Sequence, residues 1–250
     1  MRVPTKKTRA DGWLQTYWIR PSWDQFDHAT RQLFAAPPTL VYGSQTPENG
    51  TKRAIRAIFG RELHNSEWGR LVAAVAGSEL RLNGYEDPPG EFGVYADVVN
   101  SPISSYAERA VFLSADGERF MVNRRIARAA GAPAGSVRRA IAVQIMTARA
   151  LGIQRIVLEA GGPPGYSGYA VWPLLGFDGP LEPDTHAAVI QQFELSYSWS
   201  PRTVLDVARK DYQLWRRLGE SFYAEFSLAT HSDQCDILLK YLEKEVIYRP

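Results

Sequence analysis

Cysteine is nearly absent: the 250 residues hold one, Cys235. A single thiol closes no internal disulfide and builds no thiolate zinc cage. A reducing, cytoplasmic setting is therefore expected. Long apolar runs are absent too. No stretch approaches the roughly 18 consecutive apolar residues of a membrane-spanning helix, so no membrane partner is expected. Lys6, Lys7 and Arg9 have no uninterrupted apolar stretch behind them, so the first residues do not read as a secretory signal. Net charge is small, +2 at pH 7, and any functional charge must be local. The four histidines, His28, His64, His186 and His231, are scattered without ligand spacing, and no metal is expected. Internal repeats and low-complexity tracts are missing.

What is present suits a packed globular chain. Hydrophobic residues make up 45% and charged residues 22%, which argues against wholesale disorder. Three segments follow from composition and periodicity. Residues 1–76 read as a helical and irregular lead-in. Trp13, Trp18 and Trp23 fall within it, as do a helix near Asp24–Phe34 and two more at Thr51–Phe59 and Asn65–Val75. Ser66 is the expected cap of the last.

Residues 77–182 change period. Glu79–Tyr85, Phe92–Val99, Ala107–Leu113 and Arg119–Ala127 read as an antiparallel meander of four strands. The Asp116-Gly117 step is a hairpin signal. The break Ala130–Gly135 leads into a helix from Ser136 to Leu151, stopped by Gly152. Ile153–Ala160 reads as a buried strand, and Tyr166–Leu175 as a short helix. Residues 183–250 read as mainly helical and packed on the core. Ser200-Pro201 is expected to open one helix there, with Ser200 as cap, and Ser232–Glu245 forms another. Ser221–Leu228 alternates like a strand.

Charge gathers in one place. Arg119–Arg155 carries eight arginines and no acidic residue. They surround a glycine-containing turn that opens a helix, a combination suited to a phosphate-rich ligand.

The order of these elements resembles the GNAT acyltransferase superfamily. The resemblance rests on the stretch Ala130–Gly152, with Arg128 and Gly131 before the helix and Ala-Arg-Ala-Leu-Gly at its end. It continues through Ile153–Ala160 to Gly168–Asp178, which contains Gly-Phe. It covers about Glu79 to Pro180. Pro133 stands where Gly or Ala is usual, and an alternative register uses Gly135.

The resemblance implies an α+β fold: a mixed, mostly antiparallel sheet flanked by helices, here with helical extensions at both ends. It implies acetyl-CoA or another acyl-CoA as donor and an amine, small or macromolecular, as acceptor. Arg128, Gly131, Gly135, Ser136, Arg138 and Arg139 would line the phosphate end. Glu159 would be the base. Tyr166 would protonate the leaving thiolate, with Tyr169 as a second candidate. Asn123, Arg125 and Trp172 would face substrate, and the cleft would lie where the Arg119–Ala127 and Ile153–Ala160 strands part.

Plainer roles compete for several of these residues. Glu159 could pair with Arg155, Asn123 could be an ordinary strand residue, and Tyr169 and Trp172, three apart, could simply pack. Two other functions also compete. The basic and aromatic stretch from Lys6 to Trp23 suits nucleic acid, through stacking and phosphate neutralisation. A degenerate transferase fold could instead serve as an interaction domain.

Overall fold

The computed structural model describes residues 23–87, 90–161, 168–192, 199–229, 232–245 and 247. The elements begin with a 3-10 turn, Trp23–Gln25, and helix α1, His28–Leu33. Strand β1, Thr39–Tyr42, precedes helices α2, Glu48–Phe59, and α3, Asn65–Val72. Four strands follow: β2, Glu79–Asp87; β3, Glu91–Val99; β4, Ser104–Leu113; and β5, Arg119–Arg128. Helix α4, Ser136–Ala150, leads to β6, Arg155–Ala160. Helix α5, Gly168–Val171, runs into a 3-10 turn at Trp172–Leu175. Helices α6, Pro183–Gln192, α7, Val204–Lys210, and α8, Tyr212–Leu218, precede β7, Phe222–Ser227, and helix α9, Asp233–Lys244.

The result is an α+β fold built on one seven-stranded sheet whose spatial order is the chain order. β1 lies parallel to β2, with α2 and α3 between them in the chain. β2 to β5 form the antiparallel meander. α4 then carries the chain back so that β6 runs parallel to β5, and β7 pairs antiparallel with β6. The sheet thus takes β1 from the first segment and β7 from the last.

Buried side chains alternate along the strands and define one covered face. Leu80, Leu82, Val94, Ala96, Val98, Val111, Met121, Ile156, Leu158 and Phe226 lie on it. α2 packs there closely: Thr51 Oγ1 accepts from the Gly84 N–H at 2.9 Å, and a Cβ at Gly84 would lie 2.6 Å from the Thr51 Cα. Much of the opposite face is half-buried or exposed, with Asn83, Gly93 and Ala110 among its buried positions. It carries an aromatic row in which Tyr85, Tyr95, Phe112 and Phe120 contact one another at centroid spacings of 6.4, 5.8 and 5.2 Å. No helix of the described residues is long and apolar enough to cross a membrane.

Some element boundaries differ from the expected ones, for local reasons. The Asp24–Phe34 helix divides because Asp27 caps α1, its Oδ1 accepting from the Thr30 N–H at 2.8 Å. α3 stops at Val72, where Ala73 turns left-handed at φ 58°, and His64 rather than Ser66 precedes its first turn. Ser200 is not a cap. Thr203 caps α7 instead, in a box where Thr203 Oγ1 accepts from Asp206 N and Asp206 Oδ2 accepts from Thr203 N. Trp23 packs against Phe26 and Phe34, with the Arg70 guanidinium 5.3 Å over its ring. The rest of the Lys6–Trp23 stretch lies outside the described residues.

Candidate functional site

β5 and β6 pair at only four positions, from Phe120 opposite Arg155 to Asn123 opposite Leu158. They then part, although neither strand ends there. β5 stays on β4 as far as Arg128, and β6 stays on β7 as far as Ala160. A bulge sits at the parting point: Arg109 faces Asn123 while its neighbour Glu108 faces Arg125, leaving Arg124 as an extra residue on β5. A bulge bends its strand and sharpens the local twist, which turns β5 away from β6.

A cleft of about 620 Å³ lies over this gap. β5 contributes Asn123, Arg124 and Arg125, β6 contributes Leu158 and Glu159, and β7 contributes Tyr223 and Glu225. Glu108 lines the cleft too, and Asp178 closes its far side, bridged to β7 by two backbone hydrogen bonds with Glu225 at 2.7 and 3.0 Å.

The four carboxylates differ in what holds them. Glu108 is paired with Arg124 at 3.0 Å. Glu225 is paired with Arg155 at 3.3 Å. Asp178 Oδ1 accepts from the Gly179 and Leu205 N–H groups at 2.9 and 3.0 Å, and burial raises its pKa above the ordinary carboxylate value. Glu159 is exposed and has no ion pair among the described residues. Arg155 is not its partner, because Glu118 and Glu225 take both edges of that guanidinium.

The turn expected at the phosphate end follows β5 directly. Gly131 and Gly135 adopt φ of 78° and 76°, values that suit glycine. Gly135 is the N-cap of α4 and offers no side-chain acceptor; the Ser136 N–H donates to Pro133 O at 3.2 Å, which leaves the Val137 and Arg138 N–H groups as first-turn donors toward an anion. Ser136 is turned inward, its Oγ donating to Pro133 O at 2.8 Å. The arginines are mostly engaged. Arg128 donates to Ala132 O within the turn. Arg138 meets the Tyr241 hydroxyl and Glu245, and Arg139 pairs with Asp27 at 3.0 Å. Arg125 is exposed and has no ion pair among the described residues.

Other expected site residues are placed in packing roles. Asn123 spends its amide on Gln144, inside the core. The Tyr169 hydroxyl donates to Arg216 O at 3.1 Å, and Trp172 is buried edge-on to Phe177 at 5.0 Å. Neither lines the cleft. Tyr166 lies outside the described residues. Asp178, Glu225, Tyr223 and Glu108 are cleft residues that sequence reasoning did not single out. The pairing of β7 with β6 brings Tyr223 and Glu225 to the cleft and the bridge to Glu225 brings Asp178, and no spacing in the chain announces either.

Compared with family models, curated proteins and solved structures, the chain matches none of them.

Proposed function

We propose that the chain is a GNAT-like acyltransferase that moves an acyl group from an acyl-CoA thioester to an amine. The observation that carries this reading is the parting of two parallel strands, β5 and β6, at a bulge, with an open cleft over the gap and a glycine turn and uncapped helix directly after β5. Such a gap suits a pantetheine arm, because unpaired strand edges offer it hydrogen bonds. The Gly131–Ser136 turn and the α4 N-terminus would meet the pyrophosphate.

The acceptor amine would enter over the open face. Glu108, Glu159, Asp178 and Glu225 line it against two arginines, Arg124 and Arg125, and this excess of carboxylates favours a cationic amine. Glu159 would take the ammonium proton, because the other three carboxylates already hold partners. The freed amine attacks the thioester carbonyl, the C–S bond breaks, and the thiolate takes a proton. Tyr166 remains the candidate donor of that proton. The nucleic-acid reading loses support at this face, where Arg124 and Arg155 are neutralised by Glu108, Glu118 and Glu225.

Calorimetric titration with CoA and acetyl-CoA tests the reading. Saturable binding that is weakened by Arg128→Ala, which unpins the turn from Ala132 O, supports it. Heats indistinguishable from dilution for both compounds overturn it.

A further inference from the structure

Arg109 is fully buried on the covered face of the sheet, yet no acidic side chain among the described residues pairs with it. Its Nη1 donates to two carbonyls that flank the bulge, Glu108 O at 2.9 Å and Arg125 O at 2.6 Å. Its Nε and Nη2 have no partner among the described residues. These two atoms form one edge of the planar guanidinium, and their N–H bonds point the same way. That edge matches the two oxygens of a carboxylate. Buried donors are almost always satisfied, and a buried charge is almost always paired. Glu108 does not fill the role. It belongs to the opposite face and is held by Arg124.

The position of this edge is as specific as its chemistry. The cross-strand neighbour of Arg109 on β5 is Asn123, the last residue paired with β6 before the gap. Asn123 and Leu158 belong to the covered face, yet both line the cleft. The cleft therefore touches the layer that holds Arg109 at its cross-strand neighbour Asn123, while Arg109 itself is not among the lining residues. Its other neighbours on that layer are small, Ala96 across from it on β3 and Ala107 beside it on β4.

Resting on the acyltransferase reading, we propose that Arg109 selects a donor whose acyl chain ends in a carboxylate, a CoA thioester of a short dicarboxylic acid. The thioester carbonyl stays at the gap, and the distal carboxylate takes the Nε/Nη2 edge as a bidentate partner. The ligand thereby supplies the counter-ion that the described residues do not. Without it, burial holds the Arg109 pKa down at about 9. Arg109 is a specificity residue here and touches no bond that breaks.

The test is calorimetric binding of the full chain to CoA, butyryl-CoA and succinyl-CoA, two thioesters of equal chain length that differ in the terminal carboxylate. Succinyl-CoA should bind about tenfold or more tighter than butyryl-CoA, the worth of a charge-assisted bidentate contact. Arg109→Met should erase that preference and leave CoA binding in place. Arg109→Lys keeps the charge without the fork and should lose most of it. Equal binding of the two thioesters by the parent chain overturns the proposal while the acyltransferase reading stands, and needs no variant to fold. A preference that survives in a folded Arg109→Met protein overturns it too. Binding of none of the three compounds overturns the reading and the proposal together.

Discussion

Asn123 and Gln144 exchange two hydrogen bonds inside the core: Asn123 Nδ2 donates to Gln144 Oε1 at 3.0 Å, and Gln144 Nε2 donates to Asn123 Oδ1 at 3.1 Å. The pair ties α4 to β5 at the last position before β5 and β6 part. Each amide satisfies the other where water does not reach. Asn123→Leu should therefore cost about 1–3 kcal/mol, because it strands the Gln144 amide. Adding Gln144→Leu should recover part of that loss, since removing both polar groups leaves no orphan. Urea unfolding of the two singles and the double measures the coupling. Strictly additive losses would mean that the pair does not act as a unit.

Gly176 ends the Trp172–Leu175 turn at φ 90°, and a Cβ there would lie 2.4 Å from Gln234 O. Gly60 ends α2 at φ 73° with open space around it. Both sites penalise alanine for its backbone conformation, by about 1–2 kcal/mol. Only Gly176→Ala also drives a methyl into the backbone of α9. Its midpoint in thermal unfolding should fall clearly further than that of Gly60→Ala. Equal midpoints would show that α9 gives way at little cost.

Much of the sheet was legible because β2 to β5 alternate and Asp116-Gly117 marks their last hairpin. The signals are local and the strands long. β1 was not legible. Thr39–Tyr42 has four residues, follows Pro37-Pro38, and buries none of them fully. The arginine cluster was legible as a count but not as a charge. Its counter-ions, Asp27, Glu108, Glu118, Glu225 and Glu245, stand outside the segment and arrive only through the fold. Glu159 and the gap beside it were legible from element order. Arg109 was not, because an arginine on an alternating strand reads as solvent-facing until its neighbours are known.

Asp178 should show its burial in the pH dependence of stability. Burial raises its folded pKa above the ordinary value of 3.8, so between these two values the folded state binds the proton better than the unfolded state. Its contribution therefore improves as pH falls through that window and worsens as pH rises through it. Asp178→Asn keeps an acceptor for the Gly179 and Leu205 N–H groups and has no charge to bury. The variant should match or exceed the parent in stability at pH 7, with an advantage that shrinks toward pH 4. Asp178→Ala should lose about 1–3 kcal/mol at either pH, having stranded two donors. Urea unfolding at both pH values decides. An advantage of asparagine that grows on acidification would show that burial does not raise the Asp178 pKa.

Glu159 separates chemistry from stability. It is exposed, carries no ion pair among the described residues, and faces Tyr223 across the β6–β7 register. Nothing in the fold leans on its charge, so Glu159→Gln should unfold at the parent temperature. If it removes the proton from the attacking amine, the same change should lower turnover about 10²–10⁴-fold, the usual worth of a general base. Thiol release from an acyl-CoA that the chain binds, followed across a panel of amines, reads this directly. Raising the pH should partly rescue the variant, because more of the amine then arrives already deprotonated. A rate unchanged at every pH would leave Glu159 a surface residue. The base would then be sought at Asp178, the one other cleft carboxylate without an arginine partner among the described residues.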